Sequence, residues 1–118
     1  MKLMTKEIEK RIPKLYATEN VPLAEKVVHV KIFNPYGIGT WLIFEYDPET
    51  KVGFGLCDLG CAELGYVDFN ELSAVKVLGP LGLERDRGFG PILLPEAIKR
   101  CMQPALNEWA ACVLLMIE

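Results

Sequence analysis

The sequence predicts an α+β fold, an antiparallel sheet of about four strands with helices packed against it. Four stretches rich in β-branched and aromatic residues, separated by turn residues, predict the strands at residues 27–33, 40–47, 51–56 and 61–68. Two capping residues, Thr5 and Asp68, indicate where helices begin, with Asn70 as the alternative cap of the second helix. With 118 residues, the chain is expected to form a single domain over residues 1–118.

The first predicted helix covers residues 5–14, because Thr5 can cap it and Pro13 disfavours its continuation. Apolar residues recur on one face at helical spacing: Met4, Ile8, Ile12 and Leu15. Three lysines follow each other at intervals of four: Lys6, Lys10 and Lys14. Such a stripe either contacts nucleic-acid phosphates or forms a solvated face opposite the core.

The stretch at residues 27–33 predicts a strand with His29 and Lys31 on one face. The other face would carry Val28, Val30 and Ile32. His29 is the only histidine of the chain. It is interpreted either as a proton carrier or as a half-exposed strand residue.

Residues 40–57 predict a hairpin around the turn Asp47-Pro48-Glu49-Thr50. Its first strand is apolar on both faces, which is typical either of a central strand covered on each side or of a strand with one side under a helix. In the returning strand, Gly53 and Gly55 alternate with apolar residues. The space beside them is filled either by a bulky neighbour such as Trp41 or by a ligand.

The strand at 61–68 leads into a second helix, predicted to run from Asp68 to about residue 77 and to end before Gly79-Pro80. The first and second helices should cover the same sheet face.

Pro95 suits the first turn of a helix at about 96–102. Pro104 breaks that helix and can start another, so 96–118 is predicted as a helical segment in two parts. The second part carries an apolar stripe that either docks on the domain or, as the alternative, mediates homo-oligomerisation: Leu106, Trp109, Ala110, Val113, Leu114 and Ile117.

The composition excludes several classes of protein. Hydrophobic residues make up 51% of the chain, which excludes a disordered protein, and the net charge of −3 indicates no dedicated acidic or basic partner. The longest apolar run is far shorter than the roughly 20 residues that span a bilayer, so no membrane association is predicted. The first ten residues are charged rather than apolar, which favours a cytoplasmic protein with reduced thiols.

Three motifs resemble the bacterial domain of unknown function 2958, a family found largely on plasmids, phages and other mobile elements. The first follows a P-x-L-Y-x-T/S-E pattern, in Pro13, Leu15, Tyr16, Thr18 and Glu19. The second follows E-L-G-Y-x-x-x-x-E-L, in Glu63, Leu64, Gly65, Tyr66, Glu71 and Leu72. The third follows E-R-D-x-x-F, in Glu84, Arg85, Asp86 and Phe89. The resemblance covers about residues 2–95 and implies an uncharacterised accessory protein of a mobile element.

The strongest candidate functional cluster combines acids with one arginine and a tyrosine: Glu45, Glu63, Tyr66, Glu84, Arg85 and Asp86. Asp58 is a further nearby acid. We expect Glu45 and Glu63 to approach each other near the loop 82–90, with Arg85 bridging carboxylates. The cluster either binds a cation or exchanges protons, or it is a salt-bridge network that holds the loop to the sheet. The second interpretation is favoured, because structural ion pairs imitate active sites.

No metal or cofactor is predicted. Cys57 and Cys61 have the spacing of a zinc knuckle, but Cys101 and Cys112 are too far apart to complete one. Ser73, the one serine, falls within a predicted helix, which argues against a serine triad. The glycine-rich run also lacks the Gly-Lys-Ser/Thr ending of a phosphate-binding loop.

The sequence therefore favours a protein-interaction module with a protein partner and exposed aromatics such as Tyr36 and Tyr66. One alternative is a nucleic-acid-binding accessory protein that uses the lysines of the first helix. A second alternative is a small enzyme or cation-binding domain that uses Glu63, Glu84 and Asp86. Binding, rather than catalysis, is the expectation.

Overall fold

A five-stranded antiparallel sheet forms the centre of the computed structural model, which describes residues 1–101. A short 3₁₀ helix, Leu23–Glu25, precedes the first strand. The other elements, in chain order, are α1 (Lys6–Arg11), β1 (Val27–Val28), β2 (Val30–Phe33), β3 (Thr40–Asp47), β4 (Val52–Asp58), β5 (Ala62–Asp68), α2 (Phe69–Ala74), β6 (Lys76–Leu78), β7 (Leu81–Gly82), β8 (Glu84–Arg85), β9 (Ile92–Leu93) and α3 (Leu94–Cys101).

The strand order is β5-β4-β3-β2-β8, so β3 lies in the middle while β5 and β8 form the two edges. Two further strand pairs, β1 with β9 and β6 with β7, lie outside this sheet. The predicted α+β class is confirmed. The hairpin β3–β4 is also present, and Asp47 stabilises its turn by accepting hydrogen bonds from Glu49 N (3.0 Å) and Thr50 Oγ1 (2.9 Å).

The sheet is covered on both faces, as the apolar pattern of β3 predicts. The α1 segment and α2 cover one face, which we call the α1 face, with these buried residues: Leu3, Met4, Ile8, Ile12, Phe69 and Leu72. Helix α3 covers the opposite, α3 face through Leu94, Ala97 and Ile98. Burying the side chains of both faces at roughly 25 cal/mol per Å² is the main stabilising contribution to this arrangement.

A β-bulge in β3 interrupts the regular alternation of side chains. Ile43 lies opposite Gly55 and Glu45 lies opposite Phe54, so Phe44 is an extra residue in the strand. Ile43 belongs to the core of the α1 face, whereas Phe44 belongs to the core of the α3 face. Because of the bulge, Glu45 lies opposite Phe54 and follows Phe44 on the α3 face. The Glu45 carboxylate therefore belongs to that face.

The glycines of β4 make room for protein atoms, so the ligand alternative for this space is wrong. A Cβ at Gly53 would lie 3.0 Å from the Phe69 ring, and one at Gly55 would lie 2.8 Å from Ile43 Cα. The prediction that Trp41 fills this space is also wrong, because the Trp41 ring lies against Gly39 instead. Helix α2 and the β3 backbone therefore occupy the bare face of β4.

The predicted strand 27–33 is divided at His29. Its first part, β1, pairs with β9, and its second part, β2, pairs with β3 and β8. Val28 consequently lies in the core of the α3 face, while Val30 and Ile32 lie in that of the α1 face. The prediction that all three share one face is wrong, since the chain changes partners between two sheets at this point.

Both predicted helix caps are confirmed. Thr5 Oγ1 accepts from Ile8 N (3.2 Å), and Asp68 Oδ1 accepts from Asn70 N (2.8 Å). The predicted extent of the second helix is wrong, because α2 ends at Ala74 and the following residues pair as β6 with β7. The valines in this stretch, at 75 and 77, favour the extended backbone.

Helix α3 confirms the helix expected after Pro95, while the rest of the predicted C-terminal helical segment lies outside the described residues. The proposed docking or oligomerisation role of that segment stays a prediction. Among residues 1–101, no helix is long and apolar enough to span a membrane.

Candidate functional site

An open groove of about 410 Å³ lies on the α3 face, between the sheet and the segment that follows α1. We call it the tyrosine groove. Its lining is mainly aromatic and aliphatic with three charged side chains: Tyr16, Glu19, Val21, Leu23, Lys26, Glu45, Phe54, Leu64 and Tyr66. Small-ligand and side-chain binding sites commonly have this mixed lining.

Strand register builds the floor of the tyrosine groove. Glu45 of β3 lies opposite Phe54 of β4, which lies opposite Tyr66 of β5, so the three side chains form one row across the sheet. The rings of Phe54 and Tyr66 are 5.1 Å apart between centroids. A row of this kind holds Tyr66 in a defined position through cross-strand packing.

Two tyrosines close one side of the groove. Tyr66 OH donates to Tyr16 OH (3.1 Å), and the two ring centroids are 6.4 Å apart. This hydrogen bond, more than partial burial, raises the pKa of Tyr66. The Tyr66 hydroxyl therefore stays protonated at neutral pH. In this form it serves as a hydrogen-bonding group rather than as a base.

Glu45 is almost fully buried, with 3% of its surface exposed, and it holds the Tyr16 segment in place. Its carboxylate accepts from Tyr16 N (2.8 Å), from Thr18 N (3.1 Å) and from the Thr18 hydroxyl. Tyr16 has φ 70°, a left-handed backbone that costs energy in a residue other than glycine. Glu45 stabilises that conformation, so its buried charge positions the groove wall.

Lys26 is a buried cation at the base of the groove, 7% exposed. Its Nζ donates to Thr18 O (2.6 Å) and Thr18 Oγ1 (3.2 Å), and lies 5.7 Å from the centroid of Phe44. Lys26 and Glu45 thus bind the same threonine from two sides. Lys26 and Phe54 were not predicted as groove residues, since a lysine before a β-rich stretch is typical of a solvated position.

A second groove, of about 310 Å³, lies on the α1 face beside the same strand, and we call it the tryptophan groove. Its lining includes Trp41, Cys57, Glu63, Val67 and Leu72. Strand β5 is therefore flanked by a groove on each face. Within residues 1–101, only β4 pairs with β5, so the outer edge of β5 has no strand beside it.

The surroundings of this edge are acidic. Glu63 and Glu71 are exposed, and both line the tryptophan groove together with Asp68. Glu19 adds an exposed carboxylate to the tyrosine groove. Lys26 is the one cationic side chain in the described lining of the two grooves. The side chains around the open edge therefore carry mainly negative charge.

A family model described as "Protein of unknown function (DUF2958)" matches residues 3–94. The chain belongs to the DUF2958 family. The matched region includes the five-stranded sheet and both grooves. Neither the comparison with curated proteins nor that with solved structures gave a match.

The predicted acidic cluster does not form a single site in this DUF2958 protein. Glu63 and Tyr66 lie on β5, whereas Glu84 and Arg85 lie on β8, and β4, β3 and β2 separate the two strands. The expectation that Glu45 and Glu63 meet near the loop 82–90 is wrong, because strand order places that loop at the opposite edge. Asp58 stabilises the turn that follows β4, where its Oδ1 accepts a hydrogen bond from Gly60 N (2.9 Å).

The predicted role of Arg85 as a bridge between carboxylates is also wrong. Its Nη1 donates to the backbone oxygen of Lys2 (2.6 Å). In the described part of the chain, the ion pairs are Lys6–Glu9 and Glu96–Arg100. Arg85 and Asp86 instead border a separate cleft with α1, at the edge away from the tyrosine groove.

The predicted lysine stripe is only partly helical. Lys6, Lys10 and Lys14 are all exposed, but α1 ends at Arg11, so Lys14 lies beyond the helix. Pro13 accounts for this early end. Lys6 also contacts Glu9 (3.9 Å), which lowers the positive charge that the stripe presents.

The cysteines in residues 1–101 do not converge. Cys57 packs on the α1 face, Cys101 packs on the α3 face and Cys61 is exposed; Cys112 lies outside the described residues. Burial, followed by the nearby Glu63 carboxylate, raises the pKa of Cys57 to about 11, so it remains a thiol. No group of three or more His, Cys, Asp or Glu in this part of the chain is arranged to hold a metal ion.

Proposed function

We propose that this DUF2958 protein is a protein-interaction module that binds an extended segment of its partner by strand addition to β5. The observation that carries the proposal is the open edge of β5 with a groove on each face. An added strand would pair with the outward N–H and C=O groups and send alternate side chains into the two grooves. We place this module in the cytoplasm, as an accessory protein of a mobile genetic element.

The dimensions of the edge fit a short peptide. Strand β5 contains seven residues, which span about 24 Å at roughly 3.4 Å per residue. The opposite edge strand, β8, contains two residues and offers little backbone for pairing. Proteins commonly protect sheet edges by keeping them short, and β5 lacks that protection.

The side chains along β5 support a particular kind of partner. Leu64 and Tyr66 are exposed beside the tyrosine groove, so alternate partner residues on that face should be aliphatic or aromatic. Residues on the other face would meet Glu63, Asp68 and Glu71, so they should be Lys or Arg. The proposed ligand is therefore an extended segment with alternating apolar and basic residues.

The same charge pattern disfavours two other occupants of the edge. Residues 102–118 contain two glutamates and no lysine or arginine, so the tail does not complement the acidic edge. A second copy of the chain would bring the same carboxylates to the same edge, and like charges would repel. A foreign basic segment is the occupant that we propose.

A display library of random ten-residue peptides, selected on the purified protein, tests this function. Selected peptides should alternate apolar and basic residues, and Tyr66→Ala should weaken their binding by at least about tenfold, the loss of one well-packed aromatic contact. Tyr36→Ala is the matched control, since Tyr36 is an exposed tyrosine outside both grooves. Binding is measured by fluorescence polarisation.

Three results would refute the proposal. Equal losses in Tyr66→Ala and Tyr36→Ala would remove β5 as the binding site. Selection of acidic peptides would contradict the charge pattern. A dimer in sedimentation experiments that Tyr66→Ala dissociates, with no peptide selected, would identify a second copy as the occupant instead.

The alternatives from the sequence differ in their support. Nucleic-acid binding through Lys6, Lys10 and Lys14 stays a prediction. The enzyme or cation-binding alternative required Glu63, Glu84 and Asp86 in one site, and the opposite edges on which they lie do not favour it.

A further inference from the structure

A polar cleft of about 180 Å³, separate from the two grooves, lies between α1, the start of β2 and the turn that follows β8. We call it the arginine cleft, after Arg11, Arg85 and Arg87, which line it together with His29. The two carboxylates in its lining are Glu7 and Asp86. The described lining thus carries one more positive than negative charge when His29 is neutral.

Two of the three arginines are held in place by backbone oxygens. Arg11 Nη2 donates to His29 O (3.3 Å), and Arg85 Nη1 donates to Lys2 O (2.6 Å). A guanidinium group has five N–H donors, so each of these arginines keeps most of its donors for other partners. Anchored guanidinium groups lose less conformational entropy when they bind a ligand.

The carboxylates of the cleft do not neutralise these arginines in the described part of the chain. Neither Glu7 nor Asp86 lies within 4.0 Å of an arginine nitrogen there, and Asp86 Oδ1 accepts from Gly88 N (3.0 Å) instead. The cleft therefore presents arginine side chains without a close counter-ion among the described residues. Such an arrangement attracts an anion.

His29 lines the same cleft and contains one polar atom that is unpaired in the described part of the chain. Its Nδ1 is buried and has no hydrogen-bond partner among residues 1–101. Buried polar atoms nearly always have a hydrogen-bond partner, so this nitrogen is an exception. Because this atom has almost no accessible surface, the arginines rather than His29 Nδ1 would supply the contacts to a ligand in the cleft.

We propose that the arginine cleft binds a phosphate group, either free or carried by a small nucleotide. Forked guanidinium groups match the oxygens of phosphate and bind them in pairs. The cleft volume equals about six water molecules at roughly 30 Å³ each, which is enough for one tetrahedral oxyanion with some water. The site lies at the β8 edge of the sheet and does not depend on peptide binding at β5.

Titration calorimetry with inorganic phosphate tests the site, against sodium chloride of equal ionic strength at pH 7.5. We expect saturable binding that Arg87→Gln weakens about tenfold, because one charge-assisted contact is lost. Arg11→Gln should have a similar effect. Lys10→Gln is the control, since Lys10 is exposed on α1 and outside the cleft, and it should change the affinity less than about twofold at this ionic strength.

Adenosine monophosphate in place of inorganic phosphate distinguishes the two sources of the group. Tighter binding of the nucleotide indicates a nucleotide ligand, and equal binding indicates free phosphate; both support the site provided that Arg87→Gln weakens them. Absence of saturable binding at matched ionic strength would overturn the proposal. Equal weakening by Lys10→Gln and Arg87→Gln would also overturn it, because the effect would then be general charge screening.

Discussion

Glu45 shows how one buried side chain can decide the shape of a surface. Its carboxylate lies below the tyrosine groove and binds three donors of the Tyr16 segment, two of them backbone N–H groups. A buried charge is costly to desolvate, and that cost is offset only when hydrogen bonds satisfy it. Glu45 is therefore better explained as the support of the groove wall than as a catalytic acid.

Replacing Glu45 should destabilise the fold strongly. Glu45→Ala leaves the N–H groups of Tyr16 and Thr18 without acceptors, so we expect the free energy of unfolding to fall by about 3 kcal/mol. Urea denaturation measures the change. Glu49→Ala, in the exposed β3–β4 turn, is the control and should shift stability by less than about 0.5 kcal/mol. Equal effects of both substitutions would contradict the anchoring role.

His29 predicts a pH dependence of stability. Burial, followed by the Arg11 charge, lowers its folded-state pKa below the usual 6.5, so the unfolded chain binds the proton more readily. The contribution of the neutral His29 to stability should therefore be fully present above pH 6.5 and should be lost as the pH falls through the folded-state pKa. The other charged groups that line its cleft are Arg85, Arg87, Glu7 and Asp86.

The variant His29→Gln isolates this contribution. Its melting temperature should depend less on pH between 6.5 and 5 than that of the wild-type protein. Asp47 does not interfere, because hydrogen bonds from the turn lower its pKa and its effect begins below 3.8. Parallel melting curves for both proteins over this range would contradict the assignment to His29.

At the scale of elements, two glycines in neighbouring strands have opposite requirements. A Cβ at Gly55 of β4 would overlap the β3 backbone, 2.8 Å from Ile43 Cα, whereas one at Gly65 of β5 would meet nothing within 4 Å. Both glycines lie opposite each other in the β4–β5 register. The difference arises because β3 and β4 approach closely at the bulge, while β5 is an open edge.

Alanine substitutions should separate these two environments. Gly55→Ala should lower the free energy of unfolding by about 3 kcal/mol or prevent folding, because the backbone must shift to admit the methyl group. Gly65→Ala should be neutral or stabilise by up to about 1 kcal/mol, since it reduces the freedom of the unfolded chain. Thermal melts followed by circular dichroism compare them. A large loss of stability in Gly65→Ala would contradict the open space beside β5.

The elements that could be predicted from sequence are those that local chemistry determines. Thr5 and Asp68 cap their helices through contacts within three residues, and the β3–β4 turn is stabilised within residues 47–50. The apolar residues on both faces of β3 correctly predicted a covered central strand. The bulge at Phe44 could not be predicted, because an apolar run on both faces reads the same with or without an extra residue.

The arrangement of the candidate residues depended on the whole molecule and could not be predicted from spacing. Glu63 and Glu84 are 21 positions apart in the sequence, yet the strand order separates them by three strands. Lys26 lies in the groove, where its Nζ donates to Thr18 O and lies 5.7 Å from the centroid of the Phe44 ring, and neither contact could be predicted from sequence spacing. Tyr66 did line a groove, but its partners are Tyr16 and Phe54 rather than the predicted acids.

At the scale of the whole molecule, the two sheet edges have different characters. The β5 edge is long, acidic and bordered by grooves, whereas the β8 edge is short and lies beside three arginines. This division supports two separate binding functions on one small sheet. It also predicts that ligands of the two edges bind without competing.

Salt should weaken peptide binding at the β5 edge. Because the proposed partner places Lys or Arg near Glu63 and Glu71, screening by salt removes part of the attraction. We expect the association rate of a selected peptide to fall about tenfold between roughly 0.05 and 0.5 M salt, measured by stopped-flow fluorescence. Glu63→Gln should reduce this slope, and an unchanged slope would argue against charge complementarity.

Hydrogen exchange at the β5 backbone is the most direct test of strand addition. With a selected peptide bound, the amides of residues 62–68 that do not bond to β4 should become protected, so that protection increases at alternate positions along the strand. The amides that already pair with β4 should change little. If a bound peptide leaves all amides of β5 unchanged, or protects only residues away from this edge, strand addition is not how this protein binds its partner.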